Sequence, residues 1–405
     1  MAESFDTEVV IVGGGPAGAA LAIRLAAAGI ESVLFERTSA PRWRACGVFS
    51  SPLTRRRLLD LGLAHELVAD LSRPISALDL QTTSGTRCRL EYAATGHACG
   101  FDRVRLDAAL LDRARAAGAD VRAGTVVTSV APAADRRTPA RLLVSPTDPA
   151  GRAETQAWRA RLVVGADGPR SLVARAAGVA QDRKPLAKAG ITFHRADPDA
   201  APDGRPMAGR FLLGRGWYAG IAPVPRGRVN VGIVVPAETL GGDVGDLIRT
   251  TLAQFPLPLD RWQSEPMTDR VTVALPLAHG VRRAAGPGFV VVGDAAGFID
   301  PLTGEGLHRA LVSSELAADA IARSSRGDPR ALEDYDRRLR ARFRNKDVVS
   351  WLLQAFLAQP ALLDYALARL SRRAQQREVF RLVLTDQIPA SRALGPRFLL
   401  RTLAP

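Results

Sequence analysis

Residues 9–18 read VVIVGGGPAG, and this stretch decides the fold of the chain. The four β-branched apolar residues predict a buried strand, the glycines predict a tight turn, and residues 19–28 predict the helix that follows. A glycine-rich turn between a strand and a helix presents backbone N–H groups and the helix N-terminus to a phosphate. The stretch therefore predicts a dinucleotide-binding unit.

Each glycine of this turn has a separate task. Gly13 permits the bend, Gly15 lets the backbone approach a pyrophosphate, and Gly18 allows the helix to pack closely on the strand. Residues 32–35 predict a second strand, which ends in Glu36, eighteen positions after Gly18. A carboxylate there accepts hydrogen bonds from the hydroxyls of an unphosphorylated ribose. A single turn of this kind also occurs in other α/β proteins, so the assignment to a dinucleotide depends on motifs later in the sequence.

Two later stretches repeat the pattern of an apolar strand that ends in a Gly/Asp turn. Residues 162–171 read LVVGADGPRS, and residues 289–297 read FVVVGDAAG, with DPLTGEG at 300–306. Together the three stretches resemble those of the flavin-dependent hydroxylase and geranylgeranyl-reductase superfamily, whose FAD domain is similar to that of p-hydroxybenzoate hydroxylase. The resemblance implies an α/β fold: a Rossmann-like FAD-binding domain interleaved with an antiparallel β-sheet substrate domain, then a C-terminal helical segment.

The resemblance also assigns residues to the cofactor. Asp294 is expected to bind the ribityl chain, and residues 301–307 are expected to pass beside the flavin ring. Arg103 matches an arginine that contacts the cofactor, with an ordinary exposed arginine as the alternative, and Cys46 is either beside the flavin or a buried structural thiol. The assigned residues are Gly13, Gly15, Pro16, Ala17, Gly18, Glu36, Arg37, Cys46, Arg103, Val127, Asp167, Asp294, Pro301, Gly304, Gly306 and Leu307.

The cofactor motifs are separated by segments of short alternating strands, so the predicted domains are discontinuous. The FAD-binding domain is expected at 1–72, 98–180 and 275–325. The substrate sheet is expected at 73–97 and 181–274, and the C-terminal helical region at 326–405. Polar residues at 132–157 predict an exposed hairpin.

Composition limits the classes of protein to which the chain can belong. It has 405 residues, 47% of them apolar, which suffices for more than one core. The first strand begins within ten positions and no apolar run is long enough to span a membrane, so we expect a cytoplasmic protein. Three scattered cysteines and five scattered histidines predict no metal site.

The net charge of +14 raises the question of an anionic partner. Only three of the 55 cationic residues are lysines, and this arginine bias fits coding composition better than nucleic-acid binding, so no nucleic-acid partner is predicted. Arginines at 337–344 and Lys346 predict a basic helix face next to apolar residues 348–357. This pattern allows a peripheral membrane contact, with a solvated helix packed on the core as the alternative.

The substrate side is less well specified. Residues 217–223 read WYAGIAP and align loosely with an aromatic Tyr-x-Trp-x-Phe-Pro pattern of prenyl reductases, with Gly220 and Ala222 in place of Trp and Phe. Trp217, Tyr218, Gly220 and Ala222 are therefore the expected substrate-binding positions, for an apolar or aromatic small molecule.

The loss of two aromatic residues favours an NAD(P)H-dependent monooxygenase over a reductase of isoprenoid C=C bonds, which stays a close alternative. A non-enzymatic prenyl-lipid escort is a third possibility. NADH or NADPH is the expected electron donor, and no second nucleotide fingerprint is present. Glu305 and His308 are candidates for acid–base catalysis by position only, so no catalytic residue is assigned.

Overall fold

The computed structural model of the protein describes residues 5–92, 96–135, 138–147, 154–182, 187–197, 206–254 and 267–403. Its strands are β1 (Thr7–Val12), β2 (Ser32–Glu36), β3 (Phe49–Ser50), β4 (Ser72–Thr82), β5 (Arg87–Glu91), β6 (Ala98–Phe101), β7 (Asp120–Ala123), β8 (Thr125–Ala131), β9 (Ala140–Pro146), β10 (Gln156–Gly165), β11 (Ala180–Asp182), β12 (Lys188–Ala196), β13 (Met207–Leu213), β14 (Tyr218–Val224), β15 (Arg228–Pro236), β16 (Thr272–Ala274), β17 (His279–Val281), β18 (Ala285–Gly286), β19 (Phe289–Val291) and β20 (Gly297–Phe298).

The α-helices are α1 (Pro16–Ala27), α2 (Pro52–Asp60), α3 (His65–Asp70), α4 (Arg103–Ala116), α5 (Leu172–Ala176), α6 (Val244–Leu252), α7 (Gly306–Ser325), α8 (Ala331–Ala358), α9 (Pro360–Arg372), α10 (Ala374–Leu384), α11 (Ser391–Leu394) and α12 (Pro396–Leu403). Short 3-10 turns cover Ala237–Gly241, Gly293–Ala296 and Pro301–Thr303. Among the described helices, none combines the length and the apolar character needed to cross a bilayer.

The first sheet has a parallel centre in the order β19-β10-β1-β2-β7. Its middle strands are buried on both faces, which explains their continuous runs of valine, isoleucine and leucine. Helix α1 begins at Pro16, three residues before the predicted start, because proline needs no hydrogen-bonded N–H in the first helical turn. Strands β8 and β9 pair antiparallel with each other, and β9 pairs antiparallel with β10. Part of the hairpin predicted at 132–157 lies outside the described residues.

The second sheet runs in the order β16-β12-β15-β14-β13-β4-β6-β3, with β5 beside β4. It is antiparallel as expected except at one pair, because β4 and β13 run parallel. The chain between these two strands runs from residue 83 to residue 206 and passes through the first sheet, and so long a crossover allows the parallel direction. Strands β3 and β6 also belong to this sheet, although both fall within ranges predicted for the FAD-binding domain.

The C-terminal part of the chain is helical, as its pattern predicts. Its cations, however, are largely engaged within the protein. In the predicted basic face, the ion pairs are Arg337–Asp334, Arg338–Asp319, Arg340–Asp336, Arg342–Asp386 and Lys346–Glu305. These helices therefore present less free positive charge to a partner than the sequence indicates.

Candidate active site

The three glycine turns meet at one edge of the parallel sheet. They follow β1, β10 and β19, and the carboxyl ends of adjacent parallel strands lie side by side. A cavity of about 240 Å³ opens at this edge, between the first sheet and the second. Of the residues assigned to FAD, the cavity is lined by Pro16, Ala17, Cys46, Arg103, Asp294, Pro301, Gly304, Gly306 and Leu307. The first and last motifs of the sequence therefore share one cavity.

The N-terminal turn is tightly packed at two glycines and open at the third. Gly13 has φ +108°, and a Cβ atom there would lie 2.5 Å from the carbonyl oxygen of Ala166. A Cβ atom on Gly18 would overlap the carbonyl oxygen of Gly13. On Gly15, in contrast, a Cβ atom would meet no protein atom within 4 Å. The space next to Gly15, at the start of α1, is where a pyrophosphate fits.

Glu36 is buried at the end of β2 and holds this turn in place. Its Oε2 accepts a hydrogen bond from the Gly14 N–H at 2.8 Å, and its Oε1 accepts from the Thr38 N–H at 3.0 Å and from Arg44 at 2.8 Å. Burial opposes ionisation, but the Thr38 hydroxyl, the Gly14 N–H and the Arg44 cation together lower the pKa of Glu36. The ionised carboxylate thus fixes the turn in addition to any bond with a ribose.

Asp294 lies in the cavity wall directly after β19. Its carboxylate receives no hydrogen bond from any residue in the described part of the chain. Burial raises the pKa of Asp294, and the charges of His279, Arg103 and Arg309 oppose this increase. The His279 ring instead faces the backbone oxygen of Asp294, with its Nε2 at 2.6 Å. A carboxylate that borders the cavity without a protein donor fits the ribityl hydroxyls that the resemblance places there.

The side chain of Arg103 is only 10% exposed, unlike the exposed arginine of the alternative interpretation. Its Nη1 donates to the Gly47 carbonyl oxygen at 3.0 Å, and its Nε donates to Asp107 at 3.2 Å. Burial disfavours the cation, but the Asp107 carboxylate outweighs burial and the pKa of Arg103 is raised. Arg103 thereby ties the start of α4 to the Cys46–Gly47 segment. Burial also raises the pKa of the Cys46 thiol to about 11, so the thiol stays protonated at neutral pH.

The loop after β20 requires glycine at one position. Gly304 has φ +65°, and a Cβ atom there would overlap the Phe49 ring. The neighbouring Glu305 and His308 face away from the cavity, towards the C-terminal helices: Glu305 pairs with Lys346, and His308 Nε2 lies 3.0 Å from Asp386. Burial raises the pKa of Glu305 to about 7 and lowers that of His308. Both side chains therefore anchor the loop instead of lining the cavity.

Several other assigned residues lie outside the cavity wall. Asp167 caps α5, because its Oδ2 accepts from the Leu172 N–H at 2.6 Å, and its Oδ1 is buried without a hydrogen-bond partner among the described residues. Its neighbours Ala166 and Gly168 do line the cavity. Arg37, which is exposed, and Val127, which is buried in β8, are also not among the residues that line the cavity.

The four expected substrate positions also lie outside the cavity wall. Trp217 packs on the opposite face of the sheet, Gly220 is covered by the Phe211 ring, and the Tyr218 hydroxyl donates to Asp300 at 2.5 Å. The sheet instead contributes Gly190, Ile191, Thr192, Asn230, Gly232, Ile233, Val234 and Ala274. The run at 229–235, VNVGIVV, contains the signal that could have identified part of this wall, because Asn230 and Gly232 alternate with core valines and an isoleucine.

A larger cleft of about 890 Å³ lies between β5 and α10. It is polar and lined by Asp79, Arg89, Arg377 and Glu378 among others, and it contains none of the residues assigned to FAD. Size therefore does not identify the functional site in this protein. The functional site is identified instead by the convergence of the three motifs on the smaller cavity.

A family model described as an FAD binding domain matches residues 6–349, and the chain belongs to this family. Menaquinone reductase of Mycolicibacterium smegmatis is 29% identical over 331 residues, covering 78% of this chain and 76% of the relative. Digeranylgeranylglycerophospholipid reductase 2 of Methanopyrus kandleri is 26% identical over 400 residues, covering 95% of this chain and 94% of the relative. The structure of p-nitrophenol 4-monooxygenase from Pseudomonas putida superposes with a TM-score of 0.76 at 17% identity. The superposition covers 95% of this chain and 98% of that structure. The resemblance to this superfamily is confirmed, and the protein is an FAD-dependent oxidoreductase.

We predict that G15A weakens FAD binding by about tenfold or more without affecting folding, because the added methyl group points into the open space of the turn. Gly241 also faces open space, so G241A is a matched control. FAD retention and far-UV circular dichroism of the two variants should separate the effects. Native-like FAD affinity in G15A would contradict the assignment of the turn to the pyrophosphate.

We also predict that FAD protects Cys46 from alkylation. With the thiol pKa raised to about 11, iodoacetamide should react slowly at pH 8 and faster by about tenfold per pH unit until the pH approaches 11. Peptide mass spectrometry should show slower labelling of Cys46 in the FAD-loaded protein than in the apoprotein. Cys88 lies away from the cavity and is the internal control. Equal labelling of Cys46 with and without FAD would place it outside the cofactor site.

Proposed function

We propose that this oxidoreductase reduces a carbon–carbon double bond of an isoprenoid or similarly apolar substrate, with NADH or NADPH as electron donor. The observation that carries the proposal concerns Phe211. Its Cα atom pairs with that of Gly220 across β13 and β14, and a Cβ atom on Gly220 would lie 3.0 Å from the Phe211 ring. Because this position lies outside the cavity wall and is covered by the Phe211 ring, the missing tryptophan there no longer argues against a prenyl substrate.

An apolar cluster continues from this surface towards the C-terminal helices. It contains Phe49, Phe211, Tyr218, Leu277 and Leu302, next to buried residues of α8 and α9. The cluster reaches the cavity through Phe49, Leu277 and Val234, so an apolar substrate would meet an apolar wall there. The names of the two curated relatives, both reductases, support the same choice.

The residues of the chain have separable tasks in this proposal. When bound, FAD supplies hydride transfer from the nicotinamide to a substrate carbon. The start of α1 binds the phosphates, and the N-terminus of α7 stabilises negative charge next to Gly304 and Gly306. Leu277, Val234 and Leu307 keep water from the reacting carbon.

The reduction also requires a proton at the second carbon. Among the described residues that line the cavity, the titratable side chains are Cys46, Arg103 and Asp294. Arg103 is held by Asp107 and Gly47, and we assign Asp294 to the ribityl chain. The Cys46 Sγ, whose raised pKa keeps its hydrogen in place at neutral pH, is therefore the proposed proton donor.

The second candidate is the monooxygenase predicted from the sequence. The polar side chains of Thr192 and Asn230 in the cavity wall favour it, since a pure hydrocarbon would leave them without partners. The non-enzymatic escort is not retained, because the chain belongs to an FAD-binding family and preserves the open turn at Gly15.

The reaction can be tested with FAD-loaded protein, NADH or NADPH, and polyprenyl lipids under nitrogen and in air. We expect a product that has gained two hydrogens in both atmospheres, detected by mass spectrometry. C46A should lower turnover by about a hundredfold, as expected for loss of a proton donor. C88A should leave turnover unchanged. A product that contains oxygen and forms only in air would favour the monooxygenase and contradict the reductase.

We further propose that the C-terminal helices contact the surface of an anionic bilayer, from which an apolar substrate would come. Their exposed apolar side chains are Val348, Trp351 and Leu352 on α8, Leu362 and Tyr365 on α9, and Leu399 and Leu400 on α12. The Tyr365 hydroxyl donates to the Leu403 carbonyl oxygen at 2.6 Å, so α9 and α12 lie side by side. The exposed Arg397 and Arg401 flank the two leucines of α12. Apolar side chains flanked by arginines suit the interface of an anionic membrane.

This contact predicts binding to vesicles of phosphatidylglycerol and weaker binding to vesicles of phosphatidylcholine. L400E should reduce sedimentation with the anionic vesicles by about tenfold, because it places a charge at the most exposed of these apolar positions. L143E, a change at an exposed leucine in β9, is the matched control. Equal sedimentation of the two variants would contradict this surface.

A further inference from the structure

Two polar side chains of the second sheet line the otherwise apolar part of the cavity. Thr192 on β12 and Asn230 on β15 are 7% and 5% exposed, and both border the cavity. Thr192 is the cross-strand partner of Gly232, and Asn230 lies two residues before Gly232 on the same strand. A Cβ atom on Gly232 would meet no protein atom within 4 Å. Polar groups at such a position require partners, because burying them unpaired is costly.

The hydrogen bonds of this pair leave two groups unused. Asn230 Nδ2 donates to Thr192 Oγ1 at 3.0 Å and to the Phe193 carbonyl oxygen at 3.1 Å. A carbonyl oxygen only accepts, so it fixes the orientation of the amide and leaves Asn230 Oδ1 on the other side. In the described chain, no group donates to this Oδ1 and none accepts the hydroxyl hydrogen of Thr192. One acceptor and one donor therefore remain for a ligand.

A second layer of residues holds Asn230 in this orientation. His194 Nε2 lies 3.5 Å from Asn230 Nδ2, and His194 Nδ1 lies 2.8 Å from Asp269 Oδ2. Trp43 packs against the His194 ring at 4.3 Å between ring centroids. Burial, reinforced by the Arg228 cation, lowers the pKa of His194, and in the neutral ring the Nδ1–H faces the Asp269 carboxylate, which leaves Nε2 as an acceptor beside the amide. Asn230 is thereby prevented from flipping its amide.

We propose that Thr192 and Asn230 bind a ring hydroxyl of the substrate, with the ring lying over Gly232. A hydroxyl group accepts from the Thr192 hydroxyl and donates to Asn230 Oδ1, which satisfies both unused groups. An ether or ketone oxygen satisfies only Thr192, and a hydrocarbon satisfies neither. The pair therefore selects a phenol-like or hydroquinone-like head group on the apolar substrate of the proposed function, on which this inference rests.

Calorimetric titration of the FAD-loaded protein with three matched probes tests the inference without turnover. The probes are 2-farnesylphenol, its methyl ether and farnesylbenzene. We expect the phenol to bind about tenfold more tightly than the ether, and the ether more tightly than the hydrocarbon. T192V should weaken binding of the phenol and the ether and leave farnesylbenzene unaffected. T192S, which keeps the hydroxyl, should restore the preference.

Thr272 is the matched control, because its hydroxyl donates to the backbone oxygen of Thr192 at 3.2 Å from the neighbouring strand. T272V should retain the native order of affinities, and unchanged flavin absorbance should verify that each variant holds FAD. Equal affinity of the native protein for all three probes, or no binding of any, would overturn the inference. An equal loss for all three in T192V would also overturn it. Because only binding is measured, a failure of the reductase proposal appears separately, in the turnover assay.

Discussion

The whole site depends on the steric constraint that brings three strand ends to one sheet edge. At Gly13 the backbone has a positive φ and lies against Ala166, so the turns after β1 and β10 pack directly on each other. At Gly293, with φ +58°, a Cβ atom would lie 2.8 Å from the Cβ of Ala17, which joins the third turn to α1. Side chains at these glycines would separate the strands and open the edge. The cavity exists because backbone replaces side chain at these points.

The loop between Asp300 and Leu307 is held from the opposite side by buried charges. Lys346 pairs with Glu305 and also donates to the carbonyl oxygen of Leu384 at 2.9 Å. A buried ion pair contributes little net stability, but removing one partner leaves a charge uncompensated and costs about 3–5 kcal/mol. The pair therefore acts mainly to specify where the loop lies. Glu305 and His308 have the appearance of catalytic groups, but both side chains are directed at other segments of the chain and not at the cavity.

The sequence predicted the parts of the site that depend on local geometry. The strand, turn and helix around Gly13, and the family to which the three motifs belong, could be derived because each depends on a short stretch of chain. The direction of the Glu305 side chain could not be derived, because it depends on Lys346, which lies far along the chain on α8. The same holds for Phe211, which covers Gly220 only because β13 and β14 pair in one particular register. The two-residue period of a strand predicts the face of the sheet on which a side chain lies, but not which residue of the neighbouring strand lies opposite to it.

Helix α8 shows why the C-terminal region was the hardest to interpret. Its inward face carries Lys346, which fixes the loop beside the cofactor site, and its outward face carries Val348, Trp351 and Leu352 within two turns. A pattern of basic and apolar residues on one helix predicts an amphipathic surface helix. Here, however, the acidic partners Asp386 and Glu305 neutralise Arg342 and Lys346 from other segments, while apolar side chains remain exposed. The polarity of each face is thus set by residues distant in sequence, and the helix connects the outer apolar surface with the loop at the cavity.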